Sequence, residues 1–341
     1  MTPKKSVTIR DVARKAGVSP GTVSRAINNS SLVNEETRRR IMEVVGELNY
    51  TPNLVARRLS IGKTLAIAVI VPFFTRPSVM ERLNGVVSSL AQSEYDLVIH
   101  NIETPEQRAT CFKTIPHRQQ ADGVLIISLS PTDQETPQLA GADVPVVLID
   151  ADHPALTMFH RLTVDNVAGG QTATEHLLKL GHTRIGFIGD VIDNPFNFIS
   201  SRDRYLGHRK ALEAAGIPVR PEYYGEDQHG RRKARQLAEQ MLSLSDRPTA
   251  IFAASDIQAV GVLEAARGAG LRVPEDLSVI GYDDIELADI MGLTTMRQLL
   301  FESGQRGVEL LLETLDNPQT QPLHEALPTE LIVRGSTAPP S

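Results

Sequence analysis

Near the N-terminus, Thr22, Ser24, Arg25 and Asn28 fall on the outward face of a short amphipathic pattern. Arginine can donate two hydrogen bonds to guanine and asparagine can pair bidentately with adenine, each discriminating by about 1–3 kcal/mol, while hydroxyls suit phosphates or either base type. A second group lies far downstream, where apolar runs end in a polar residue: Ser128 closes GVLIIS, Asp150 closes VPVVLID, Asp165 ends RLTVD, Asp256 ends AIFAASD and Asp283 ends VIGYD. Together with Arg204 of RDRYLGH, such carboxylates can bind neighbouring hydroxyls, because acceptors and a fixed donor fork match the edge of a sugar ring. One group therefore fits nucleic acid and the other a small polyol. Each has a plainer reading: a solvated helix face for the first, and helix N-caps for Asp165 and Asp256.

The elements that must position these residues are legible in the spacing. Ile9, Val12, Ala13 and Ala16 recur at i, i+3, i+4 and i+7, with Thr8 and Asp11 spaced as a capping box and Gly17 as a stop. After Val18, Ser19 can cap a second helix that has Pro20 at its first position and buries Val23, Ala26 and Ile27. A third helix follows Asn34, with Glu35 and Glu36 in its first turn and Ile41, Val44, Val45 and Leu48 inward. Two helices joined by Gly17-Val18-Ser19 match a helix-turn-helix, whose second helix enters the major groove. From Leu65 onward, apolar runs alternate with helical patterns, as in LAIAVIVP, DLVIHNI, GVLIISLS, VPVVLID, RIGFIGD, TAIFAASD and LSVIGYDD. That alternation predicts parallel sheets covered by helices, and some 275 residues of it exceed one usual core. Two similar lobes changing over near 163 are expected, with a frayed tail RGSTAPPS.

Charge divides the chain in the same way. Residues 1–60 hold 11 Lys and Arg against 5 Asp and Glu, and the remainder holds 24 against 36, so the overall −6 conceals a basic head on an acidic body. That asymmetry suits a DNA-binding unit carried by a body that phosphate would repel. No apolar stretch reaches the roughly 18–20 residues a membrane helix needs, and the single cysteine, Cys111, excludes intrachain disulfides and cysteine metal clusters. A reducing cytosol is the expected compartment, with no cofactor and no metal. Catalytic motifs are missing as well. Gly62-Lys63-Thr64 lacks the first glycine of a phosphate-binding loop, His176 and His182 lack ligand spacing on a helix, and Asp283-Asp284 are strand neighbours that point apart. No catalytic residue is assigned.

TIRDVARKAGVSPGTVSRAINN followed by VNEETRRRIMEVVGELNYTPNLVARRLS resembles the DNA-binding head and hinge of the LacI/GalR family of bacterial transcription regulators. Later segments, GHTRIGFIGD, RYLGHRKAL, ASDIQAVGVLEAARGAGLRVPEDLSVIGYDDIE and LTTMRQ, are similar to that family's regulatory domain in the same order. The resemblance implies a head over 1–50, a hinge helix and linker over 51–63, and a periplasmic-binding-protein-like body of two doubly wound lobes. The lobes are expected at 64–162 with 294–325 and at 163–293 with 326–341. It further implies that residues 53–60 fold on operator DNA and that Leu59 wedges into the minor groove, with Arg57 and Arg58 available for phosphates. Tyr50, Asn53 and Ala56 sit where family members approach DNA, and Arg10 and Ser19 complete the DNA-facing set. For the effector it supports Arg204, Asp256 and Asp283, then Asp150, Ser128, Phe74 and Ser78, although VPFFTRPSVMERL departs from the family pattern. The implied partners are a pseudo-palindromic double-stranded operator, a second copy of the chain and a small effector, usually a sugar or its phosphate. Control by a corepressor or a coregulator protein, and a solute-binding protein, are the alternatives.

Overall fold

The computed structural model describes residues 7–27, 30–51 and 62–341. The chain divides into two compact units, Met1–Lys63 and Thr64–Ser341.

The first unit contains α1 (Ile9–Ala16), α2 (Pro20–Ile27) and α3 (Glu35–Glu47). The Thr8 backbone N–H and hydroxyl both donate to Asp11, at 3.0 and 2.7 Å, which closes the start of α1. Gly17 ends that helix in the left-handed region, φ 66, where a side chain would be strained. The Asn34 side chain accepts from the Thr37 N–H at 2.8 Å and starts α3. Val12, Ala13, Ala16, Val23, Ala26, Val33, Ile41 and Val44 close into one small core, with Tyr50 packed at its edge.

The second unit holds two six-stranded sheets. The first contains β1 (Ala66–Pro72), β2 (Asp96–Ile102), β3 (Gly123–Ile127), β4 (Val146–Ile149), β5 (His160–Val164) and β11 (His324–Leu327), in the order β11-β5-β4-β3-β1-β2, all parallel. The second contains β6 (Ile185–Asp190), β7 (Tyr224–Asp227), β8 (Ala250–Ala253), β9 (Ser278–Asp283), β10 (Thr294–Gln298) and β12 (Thr329–Ile332), in the matching order β12-β10-β9-β8-β6-β7. Only β12 runs antiparallel to its neighbour. Strands β1, β3, β4, β8 and β9 are buried along their whole length, as expected of sheets covered on both faces. Around the first sheet lie α4 (Pro77–Leu90), α5 (Pro105–Thr114), α6 (Thr136–Ala140) and α12 (Leu300–Asp316); around the second lie α7 (Asn166–Lys179), α8 (Ser200–Ala214), α9 (Arg231–Leu242), α10 (Asp256–Gly268) and α11 (Glu286–Ile290).

The chain crosses between lobes three times, after β5, after β10 and between β11 and β12. Three expected boundaries are therefore corrected, the first being that between 162 and 163, because Thr163 and Val164 still belong to β5 and pair with β11 in the first lobe. Thr294–Gln298 belongs to the second lobe, because its buried Thr294, Thr295 and Met296 pair with β9, and β11 extends the first lobe past residue 325 to Leu327. The C-terminal tail is likewise docked rather than frayed. The Val279 N–H donates to the Ser336 carbonyl at 2.8 Å, the Ser336 hydroxyl donates back to the Val279 carbonyl at 2.6 Å, and the Ala338 N–H donates to Ser278 Oγ at 3.0 Å. Small hydroxyl residues let the tail hydrogen-bond to the start of β9, which a composition-based reading takes for looseness.

Among the described residues no helix is long and apolar enough to cross a membrane, and no cluster of side chains could hold a metal ion.

Candidate functional sites

In the head, α1, the Gly17-Val18-Ser19 turn and α2 form a helix-turn-helix. Ser19 Oγ accepts from the Thr22 N–H at 3.1 Å and shares a hydrogen bond with Thr22 Oγ1 at 2.9 Å, so these two hydroxyls are held in place at the start of α2. Arg25 is exposed one turn further on, and no described residue accepts from its guanidinium. Arg10 and Ser19 are exposed, and Thr22 and Ser24 are partly so, while Val23 and Ala26 are buried. Tyr50 is half-buried, its N–H donating to the Val45 carbonyl at 3.0 Å. The expected DNA residues Asn28, Asn53, Ala56, Arg57 and Leu59 lie outside the described residues.

In the body, the carboxyl ends of both sheets face one polar cleft enclosing about 680 Å³, solvent-open space included. Small-molecule sites in such folds form where strand ends meet. The first lobe contributes Ser128 and Asp150, both left-handed non-glycine residues just past β3 and β4, at φ 53 and φ 52. Such backbone is uncommon for residues other than glycine. Here it turns both side chains into the cleft, where the Ser128 hydroxyl donates to Asp150 Oδ2 at 2.8 Å. Arg82 on α4, almost fully buried, reaches the same oxygen at 2.9 Å. Arg82 also donates to Gln298 Oε1 at 3.3 Å, and Gln298 Nε2 donates to Asp283 Oδ1 at 2.6 Å. Asp150, Arg82, Gln298 and Asp283 thus form one hydrogen-bonded line from lobe to lobe, passing through the end of β10.

The second lobe supplies Arg204 from α8. Its Nε donates to Asn166 Oδ1 at 2.8 Å, its Nη1 donates to the Ala254 carbonyl at 2.6 Å, and its guanidinium stacks 3.7 Å above the Tyr282 ring. Asp283 lies 3.6 Å from Arg204, and burial raises its pKa despite that neighbour. Asp190, at the end of β6, goes the other way: burial works against its charge, but the His229 hydrogen bond and the charges of His229, Arg76 and Arg204 outweigh it and hold the pKa below the usual value. Gln258 Nε2 and His229 Nδ1 contact Asp190 at 2.9 and 3.1 Å.

Five of the eight expected effector residues, Ser78, Ser128, Asp150, Arg204 and Asp283, line this cleft. The other three, expected there as well, lie elsewhere in the structure. Asp165 is exposed and caps α7 by accepting from the Ala168 N–H at 2.8 Å. Asp256 is fully buried, its oxygens accepting from the Thr295 hydroxyl at 2.6 Å and the Ile285 N–H at 3.0 Å. The cleft residue is its neighbour Ser255, which is also the N-cap of α10. Phe74 is 41% exposed and lies outside the cleft lining, and its neighbour Phe73 packs edge-on against Phe196 at 5.2 Å. Sequence reasoning passed over Arg76, Arg82, Asp190 and Gln298. Asp190 ends RIGFIGD and answers the strand-end rule that found Asp150; the arginines and the glutamine carry no such signal.

Residues 8–53 match the family model for bacterial regulatory proteins of the lacI family, and residues 174–337 match a periplasmic binding protein-like domain. The HTH-type transcriptional regulator DegA of Bacillus subtilis (strain 168) is 32% identical over 97% of this chain and 98% of its own length. The HTH-type transcriptional repressor PurR of Aliivibrio salmonicida (strain LFI1238) is 33% identical over 96% and 98%, and the ribose operon repressor of Haemophilus influenzae (strain ATCC 51907 / DSM 11121 / KW20 / Rd) is 35% identical over 91% and 92%. Among solved structures, the lac repressor dimer bound to operator and the anti-inducer ONPF superposes with a TM-score of 0.85 at 29% identity, over 98% of this chain and all of that one. A helix-turn-helix head and a two-lobed, ligand-binding type of body in one chain define a DNA-binding transcriptional regulator. The chain belongs to the LacI family of bacterial regulatory proteins.

Proposed function

We propose that the protein is a homodimeric repressor that binds a pseudo-palindromic operator and is controlled by a sugar or sugar derivative in the interlobe cleft. The carrying observation is the convergence of Asp150 from one lobe with Asp283 and Arg204 from the other, which offers acceptors and a donor fork to vicinal hydroxyls. Ser78, Ser128 and Ser255 complete the effector set, and Asp165, Asp256 and Phe74 leave it. Arg10, Ser19, Thr22, Ser24, Arg25 and Tyr50 serve the operator, with Asn28 also reading bases and Asn53, Ala56, Arg57 and Leu59 acting from the hinge. A second copy of the chain is supported by exposed apolar side chains in the first lobe, Met80 and Val87 of α4 and Val98 and Ile99 of the edge strand β2. Control follows as a population shift: a ligand that prefers one arrangement of the lobes changes operator affinity, and operator changes ligand affinity by the same factor.

The test is selection of the full chain on random duplexes, then fluorescence anisotropy on the enriched site with and without candidate sugars. Enrichment of a pseudo-palindrome is expected, and Arg25→Ala should weaken that site by about 1–3 kcal/mol while leaving nonspecific binding nearly unchanged. Enrichment of no sequence would overturn the reading. The direction of the shift on adding ligand separates inducer from corepressor.

A further inference from the structure

A polyol held by Asp150, Asp283 and Arg204 leaves one cleft group unanswered. Arg76 stands just before α4 with its guanidinium 4.3 Å from the Phe73 ring centre and 5.4 Å from that of Phe198. These rings fix the plane of the guanidinium without accepting its hydrogens. Among the described residues none accepts a hydrogen bond from that side chain. Burial disfavours its charge, and the one compensating charge is that of Asp190. Asp190 is already engaged by His229 and Gln258, while Asp150 faces Arg82 and Asp283 faces Arg204. The cleft therefore contains an arginine with five free donors and no acid of its own. Beside it, the fifteen-residue α8 opens into the same cleft at Ser200 and Ser201, and its N-cap, Ile199, has no side chain able to accept from the first-turn N–H groups.

We propose that the effector is a polyhydroxy compound with a terminal oxyanion, a phosphate or a carboxylate, and that Arg76 determines this specificity. The inference rests on the cleft reading above. A planar guanidinium matches two oxygens of either anion, the Ser200 hydroxyl and the α8 N-terminus face the remaining oxygens, and the hydroxyl-bearing end lies toward Asp150, Asp283 and Arg204.

The experiment is calorimetric titration of the full chain with inorganic phosphate and, separately, with acetate. Each is read as the difference between wild type and Arg76→Gln, which cancels uptake by the basic head. Binding of at least one ion with a Kd on the order of millimolar, weakened about tenfold by Arg76→Gln, is expected, since a charge-assisted bidentate contact is removed. Arg76→Lys should retain an intermediate affinity, which distinguishes loss of charge from misfolding. The ion that shows the difference identifies the class of anion. No difference for either ion overturns the proposal. A matched set of a hexose, its 6-phosphate and its aldonate separates the two readings. Preference for an anionic member that disappears in Arg76→Gln supports the anion, whereas tight binding of the hexose with no gain from the anion overturns it and leaves the cleft reading standing.

Discussion

The two lobes are built alike yet present their charges differently. Each delivers a buried arginine to the cleft from a helix crossed closely by another. A Cβ on Gly304 of α12 would lie 2.0 Å from the Arg82 carbonyl oxygen, and one on Gly170 of α7 would lie 2.2 Å from that of Arg204. The contacts are reciprocal, since a Cβ on Gly85 would meet the Phe301 carbonyl at 2.0 Å and one on Gly207 would meet that of Val167 at 2.0 Å. Glycine on both sides brings the helix backbones together and fixes where each arginine starts. What the arginines then meet is not alike. Arg82 lies 2.9 Å from Asp150, so that acid is closely paired. Arg204 directs its Nε to Asn166 and its Nη1 to the Ala254 carbonyl above the Tyr282 ring, stays 3.6 Å from Asp283, and leaves that acid less closely compensated next to buried Asp256. The first lobe thus holds a carboxylate in close contact with its arginine, and the second an acid that accepts from the Gln298 amide and keeps its arginine at a longer distance, which is the side where ligand donors gain most.

The largest effect that could break this comparison is at Arg82. Arg82→Met leaves Asp150 without its cation and cuts the line to Gln298 and Asp283, so a loss of about 3–5 kcal/mol is expected in urea unfolding. A loss under about 1 kcal/mol would mean that Asp150 is solvated well enough to need no partner. Next come the glycines. Gly304→Ala and Gly170→Ala each force a methyl against a backbone carbonyl and should cost about 1–3 kcal/mol by overpacking. If the crossings are equivalent the two losses will be similar, and both variants should lose ligand response with their arginines displaced. A large cost in one lobe alone would show that the repeated geometry does not carry repeated energetics.

How much of this could be read beforehand depends on the range of the interaction. The helices of the head follow from local signals, Thr8 with Asp11, Gly17 and Asn34, and each acts there as its spacing suggests. The buried strands follow from uninterrupted Val and Ile runs, and strand ends point to Ser128, Asp150 and Asp283. The failures need tertiary information. Ser255 and Asp256 are adjacent, and only the packing of β10 and the 285 turn decides that the serine faces the cleft while the carboxylate goes inward. Phe73 packs on Phe196 and Phe198 while Phe74 is exposed, and φ 42 at Phe73 cannot be read from two identical side chains. Arg82 and Gln298 meet across 216 residues of chain, and a one-dimensional pattern holds no trace of that.

The smallest effect is the dependence on acid, and it has opposite signs in the two lobes. In the second lobe, burial and then the charge of Asp283 push the Asp256 pKa well above its ordinary value, although Thr295 and Ile285 hydrogen bonds oppose this. A folded pKa above the unfolded one means that the folded state binds more protons between those two values. Stability from this group therefore rises as pH falls through the folded value and levels off below the unfolded one. In the first lobe, burial raises the Glu135 pKa, but the hydrogen bonds and charge of Arg108, with those of Thr132, outweigh it and leave the pKa lowered. Its contribution is complete above the unfolded value and lost as pH falls through the folded one. Asp256→Asn should then gain melting temperature on wild type near neutral pH and lose that gain on acidification, at about 1.4 kcal/mol for each tenfold change in proton affinity. Asparagine offers one acceptor where Asp256 serves two donors, so the slope against pH carries the result, whatever the offset. Glu135→Gln should slope the opposite way, closing on wild type as the pH falls. Parallel slopes in the two variants would remove the electrostatic contrast between the lobes and leave only their shared architecture.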